Sequence, residues 1–158
     1  MIFQRHVILC LVLFTAPVAI DAKAMASVLD DANRAVEQND FELAESLLDE
    51  HLEENSQDAD ARFLYARVLS WQGSYREAID QFNILLLESP NNSDYLLARA
   101  NTYEWMGDRG QALDDLKRAR EISPEYKEVW RTEIKLLVRA GDQQSRKQAD
   151  TLVELAEI

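Results

Sequence analysis

Three glycines of this chain fall at one interval. Gly73, Gly107 and Gly141 stand 34 residues apart, and other columns keep the same step. Pro90 and Pro124 keep it, as do Ala32, Ala66 and Ala100, and Ala44, Ala78 and Ala112. Trp71 and Trp105 share it too, inside Trp-Gln-Gly and Trp-Met-Gly. Five independent columns on one period make the chain an array of like units. A unit this short cannot bury its apolar face alone, so neighbours must stack to form one continuous core.

The units are helical. In 158 residues there are 4 Gly and 3 Pro, too few for the turns of a sandwich or barrel. Cutting at the period gives units 25–58, 59–92, 93–126 and 127–158, an all-α solenoid of about four helix pairs. In the second unit a first helix is predicted from about Asp60 to Gln72, presenting Phe63, Ala66 and Leu69 to a partner. Gly73 ends it, since the residue after a helix often takes the left-handed conformation that glycine adopts cheaply. Ser74 stands at the N-cap of the second helix, which carries Ala78, Ile79, Phe82, Leu85 and Leu86. Ser89-Pro90 stops it, because proline cannot continue a helix and restricts the residue before it. Unit one is a weaker copy, with Asn39 in place of glycine, a residue that enters the left-handed region readily. Unit four keeps Gly141, but its next alanine, Ala149, arrives three residues late. The closing TLVELAEI is apolar enough to pack back on that unit.

This anatomy resembles the tetratricopeptide repeat. Small residues fall at unit positions 8 and 20, glycine at 15, a large apolar residue at 24 and proline at 32. Those are Ala66, Ala78, Gly73, Phe82 and Pro90 in unit two, and Ala100, Ala112, Gly107, Leu116 and Pro124 in unit three. Position 4 is Arg62 in unit two, although Trp130 holds it in unit four. The resemblance implies a right-handed superhelix whose first helices line a concave, partner-binding face. The run ADARFLYARVLSWQGSYREAI and its two followers are also similar to the N-terminal periplasmic repeats of YaiO-type outer-membrane proteins. In those a β-barrel follows, whereas residues up to Ile158 hold no alternating strands, so the likeness implies location and scaffold role only.

The first 24 residues read as a secretory leader. Arg5 stands in a basic start, Val7 to Ile20 run uncharged, and cleavage sites follow Ala22 and Ala24. An apolar run of fourteen is short of the roughly 20 helical residues that cross a bilayer core. Cys10 follows Leu9 inside the run, the wrong context for a lipid anchor. Cleavage after Ala24 leaves 15 basic against 28 acidic residues, −13 in place of −12, and no cysteine. The expected location is therefore periplasmic or secreted, with no membrane-spanning segment after cleavage.

The acidic balance argues against nucleic acid, whose phosphates need clustered Lys and Arg. Catalysis has little to use: outside the leader there is one histidine, His51, at a helix-packing position, and no phosphate-cradling glycine loop or zinc-protease helix motif. Neither enzyme activity nor a metal or cofactor is expected. By the resemblance, the concave face collects Asn33, Glu37, Asp60, Phe63, Arg67, Trp71, Asp94, Leu97, Asn101, Glu104, Trp105, Arg131, Lys135 and Arg139. Partner contacts are assigned to Arg67, Trp71, Asn101 and Trp105, with Phe63, Glu104, Arg131 and Lys135 beside them, because Trp and Arg concentrate at binding surfaces. The two tryptophans could equally pack between units. The Lys and Asn cluster with which some members of this family grip a peptide's terminal carboxylate is missing in either frame: Leu29, Asn33, Leu64, Asp94 and Ala98, or Phe63, Arg67, Ala98, Glu128 and Thr132.

The expected partner is a protein or peptide of the envelope. A saccharide is the alternative, since such repeats also occur in polysaccharide export systems, and a barrel-less remnant of a YaiO-type protein is a third reading. Charge is uneven along the chain: ten carboxylates crowd Asp30 to Glu54, while Lys127, Arg131, Lys135, Arg139, Arg146 and Lys147 mark the far end. That asymmetry allows weak head-to-tail self-association.

Overall fold

The computed structural model describes residues 22–156, with side chains described from Val28 onward. The leader expected over 1–24 therefore lies almost wholly outside the described residues. Eight helices follow one another: α1 (Ala22–Glu37), α2 (Phe41–Glu54), α3 (Ala59–Gln72), α4 (Tyr75–Glu88), α5 (Ser93–Met106), α6 (Arg109–Ile122), α7 (Lys127–Ala140) and α8 (Gln143–Ala156). Among the described residues there is no strand. No described helix is long and apolar enough to cross a membrane.

Each helix packs on the next in chain order, and α3 also meets α5 across the intervening α4. Within this stack α3 and α5 adjoin directly, and the odd-numbered helices are here called the inner layer, the side that the repeat resemblance places on the concave face. Helix ends follow the breakers. Gly73, Gly107 and Gly141 have φ of +89°, +92° and +76°, and Asn39 takes +59° in the same role. Around Gly73 an added Cβ would meet nothing within 4 Å, so only the backbone conformation demands glycine. Gly73→Ala should cost about 1 kcal/mol, with Gly73→Asn milder, measured by chemical denaturation. An alanine that leaves stability unchanged would refute that reading.

N-caps are mostly carboxylates and amides. Asp40, Asp58, Asn92 and Asp108 side chains each accept from backbone N–H groups of the first turn. Ser74 holds the N-cap position of α4 but makes no side-chain capping bond, which corrects the role expected of it.

The periodic alanines mark where helices touch. Ala32, Ala44, Ala66, Ala78 and Ala112 have no exposed surface and Ala100 almost none, because only a methyl fits where helix pairs cross closely. Leu48, Phe82 and Leu116, the large residues one turn on, are wholly buried. Unit four departs from this plan. In α8 Ala149 and Leu152 are the buried residues, joining Trp130 and Leu137. Ala149 lies three residues past the alanine column and Leu152 two past the column of Leu48, Phe82 and Leu116, so α8 turns a different face inward. The closing stretch packs only in part: Leu152 is buried, but Val153 and Leu155 are exposed.

Candidate functional site

The inner layer brings together four of the assigned contact residues. Arg67 and Trp71 from α3 and Asn101 and Trp105 from α5 line one cleft of about 130 Å³, floored by Ser70, Phe82, Ala98 and Thr102. Each pair sits four residues apart and so shares a helix face. The floor is fixed by a bond between units: the Ser70 and Thr102 hydroxyls are 2.7 Å apart and each lies 3.0 Å from a carbonyl of its own helix, so one donates across the pair and the other to its carbonyl. Small side chains there let α3 and α5 approach, and the larger residues at the rim bound the cleft.

The two tryptophans differ. Trp71 is half-buried, its ring 5.7 Å from that of Phe41 in the preceding unit, with the Arg67 guanidinium over it at 4.7 Å. Trp105 remains 47% exposed. Trp71 thus belongs to both the packing and the cleft wall, and Trp105 is surface. Arg67 also lies 5.7 Å from the Phe63 ring, and it joins no ion pair among the described residues.

The other assigned residues stand outside the cleft. Phe63 is half-buried, packed against Phe82 of its own unit and Tyr95 of the next, with ring centroids 6.1 and 5.0 Å away. Leu97 is buried. Glu104 accepts from Arg139 of α7 and so braces units three and four. Arg131 and Lys135 are exposed on α7, Arg131 within 3.8 Å of Glu128.

Several polar clusters were not visible in the sequence. Arg99 forks onto both oxygens of Asp115, at 2.8 and 2.7 Å, and reaches Asn83 of the preceding unit at 2.6 Å. Arg120 of α6 bonds Glu133 of α7 at 2.7 Å and lies over the Trp130 ring. These two pairs account for the buried carboxylates Asp115 and Glu133. His51 is buried, its Nε2 donating to Asp58 at 2.8 Å, so the one histidine among these helices is held in a structural pair. Burial pushes the Asp58 carboxyl up, but the Ala61 backbone N–H and the His51 ring outweigh it and hold the group below the usual carboxylate range. The stabilisation this brings is present above the ordinary carboxylate pKa and is lost as acid protonates the group. A second cleft of about 370 Å³ lies between α6, α7 and α8, bounded by Asp114, Lys117, Gln148 and Thr151, where α8 has turned away from the usual register.

Residues 35–101 match the family model of the tetratricopeptide repeat. Among solved structures, YrrB, described as a tetratricopeptide repeat protein with an unusual peptide-binding site, is similar at 26% identity and a TM-score of 0.63. That match covers 66% of this chain and 54% of YrrB, so the chain spans about half of YrrB's length. MamA is similar in fold, with a TM-score of 0.73 over 87% of this chain and 80% of MamA at 13% identity. A MamA of Desulfovibrio magneticus, from residue 41 to its end, gives 0.72 over 82% and 73% at 15% identity. The 34-residue helix pairs, the matched span and this shared architecture agree: residues 35–101 carry tetratricopeptide repeats, and the helix pairs after them keep the same fold.

Proposed function

We propose that the chain is a non-catalytic scaffold that docks a protein or peptide along its inner layer, and that it does so in the periplasm. The carrying observation is the cleft between α3 and α5, where Arg67, Trp71, Asn101 and Trp105 converge. Exposed tryptophan and arginine beside a preformed floor are the groups that anchor a partner, since they bring large rigid area and several donors. YrrB, with its peptide-binding site, supports a peptide as occupant. The periplasmic part rests on the basic and apolar residues of 1–24 and on the YaiO-type resemblance. The non-catalytic part rests on His51, which is buried with Nε2 on Asp58 and Nδ1 facing Asn55 and lines no part of the cleft between α3 and α5.

The test is a photo-crosslinking amino acid placed at Trp105 or at Leu87, which is 83% exposed on α4 of the outer layer. In intact cells the Trp105 position is expected to yield a discrete adduct and the Leu87 position none. Equal labelling from both positions, or none from either, rejects docking on the inner layer, and adducts only with cytoplasmic proteins reject the location.

A further inference from the structure

We infer that the cleft between α3 and α5 takes an acidic side chain, an Asp or Glu of an extended peptide, with Arg67 and Asn101 as its carboxylate receptor. The inference rests on the scaffold reading and names the chemistry of its occupant.

Most arginines of the described helices are spent on the fold, while Arg76, Arg109 and Arg146 are exposed and line no part of this cleft. Arg99 and Arg120 are forked or bonded to buried carboxylates, Arg62 bonds Gln81 and the Ser56 carbonyl, and Arg139 bonds Glu104. Arg67 differs. Its guanidinium lies over the Trp71 ring, 4.7 Å from the centroid, and makes no hydrogen bond to protein among the described residues. A contact with a ring uses none of its five N–H donors in a hydrogen bond to oxygen, so they are open for an acceptor. Among the described residues Asn101 beside it makes no side-chain hydrogen bond either, and the indole N–H groups of Trp71 and Trp105 have no acceptor; Trp130, by contrast, donates to the Pro124 carbonyl.

The groups left open in the cleft are mostly donors: a guanidinium, an amide and two indoles, against the Asn101 carbonyl oxygen, while the Ser70 and Thr102 hydroxyls of the floor are engaged with each other and with their own helices. A sugar hydroxyl gives and takes hydrogen bonds in equal measure and would leave most of these donors competing for one kind of atom. An ionised carboxylate is acceptor-only and suits them all, and the planar guanidinium edge matches its geometry. The ten carboxylates of unit one and its linker dominate the net charge of −12. The cleft lies in units two and three, outside that acidic stretch. At physiological salt, charges more than about 8 Å away are largely screened, so the local donors decide the interaction. This site differs from the Lys and Asn carboxylate grip whose positions the chain leaves empty: its charge is an arginine held on a tryptophan.

The experiment is selection from a displayed random-peptide library on the purified chain, on Trp105→Ala and on Arg67→Glu. Peptides that bind the native chain and are lost on Trp105→Ala are expected to share an Asp or Glu at one position. On Arg67→Glu that position should switch to Lys or Arg. A synthetic peptide from the first set should bind Arg67→Gln at least about tenfold more weakly, the loss of a charge-assisted bond. Groove-dependent peptides with no acidic position would overturn the inference and leave the scaffold reading intact. An acidic position indifferent to Arg67→Glu would overturn the assignment to Arg67. Selection that yields no peptide sensitive to Trp105→Ala overturns the scaffold reading, and this inference with it. Circular dichroism of each variant, matched to the native chain, shows that the losses are not unfolding.

Discussion

Asp115→Ala should destabilise the protein by about 3–5 kcal/mol, the cost of removing one partner of a buried ion pair. The Arg99 and Asp115 side chains are only 16% and 9% exposed and meet through two bonds, with a third from Arg99 to Asn83. Burial works against the Arg99 charge and the Asp115 carboxylate more than restores it, so the guanidinium is held above its ordinary value. Without Asp115 that charge stays in the core with a single amide oxygen to receive its five donors. The pair joins α5 to α6, and Asn83 extends it to α4, so the loss falls on the junction of units two and three. The double variant Arg99→Met with Asp115→Leu should return most of the lost stability, because apolar groups of similar volume need no partner. Urea titration followed by circular dichroism measures both. A single variant that costs under about 1 kcal/mol would show that water reaches the pair and that it contributes little.

The second large effect separates the two tryptophans. Trp105→Ala should weaken a groove-selected peptide by about tenfold or more while leaving the unfolding midpoint within a few degrees, since hot-spot truncations cost about 2 kcal/mol or more and a half-exposed ring holds little of the fold. Trp71→Ala should lose both. Its ring meets Phe41 and carries Arg67, so truncation opens a gap between units one and two and frees the guanidinium from its platform. Fluorescence anisotropy of the labelled peptide together with thermal melting distinguishes the outcomes. Equal binding by the native chain and Trp105→Ala would remove Trp105 from the site, whatever the behaviour of Trp71→Ala.

The two residues share a unit position, so the sequence treats them alike. What separates them is the residue one turn earlier and the unit before. Arg67 precedes Trp71 by four residues and stacks on it, whereas Asn101 precedes Trp105 and is too short to do so. Phe41 reaches Trp71 from α2, and no ring pairs with Trp105 among the described residues. The same limit applied to Phe63. Its position suggests the groove, yet Phe82 of its own unit and Tyr95 of the next draw it into the packing. A register identifies which face a side chain leaves from, and the size of its neighbours decides whether it stays there.

Helix length, the places where the chain turns and the alanines at close crossings were all determined by the sequence itself. These depend on local backbone preference and on a spacing that repeats, and both can be read within one unit. Glycine and asparagine at one position, proline at another and methyl groups at two more leave a helix pair little choice of shape. The tertiary structure decided which charges are neutralised. Arg99 meets Asp115 across 16 residues, Arg120 meets Glu133 across 13, and Arg67 meets no carboxylate. The strength of an ion pair depends on distance and burial, and neither follows the period, because neighbouring units carry different residues at the facing positions. The repeat therefore specifies the stack, while the exceptions between units, a free guanidinium on a half-buried ring above all, specify what the stack can hold.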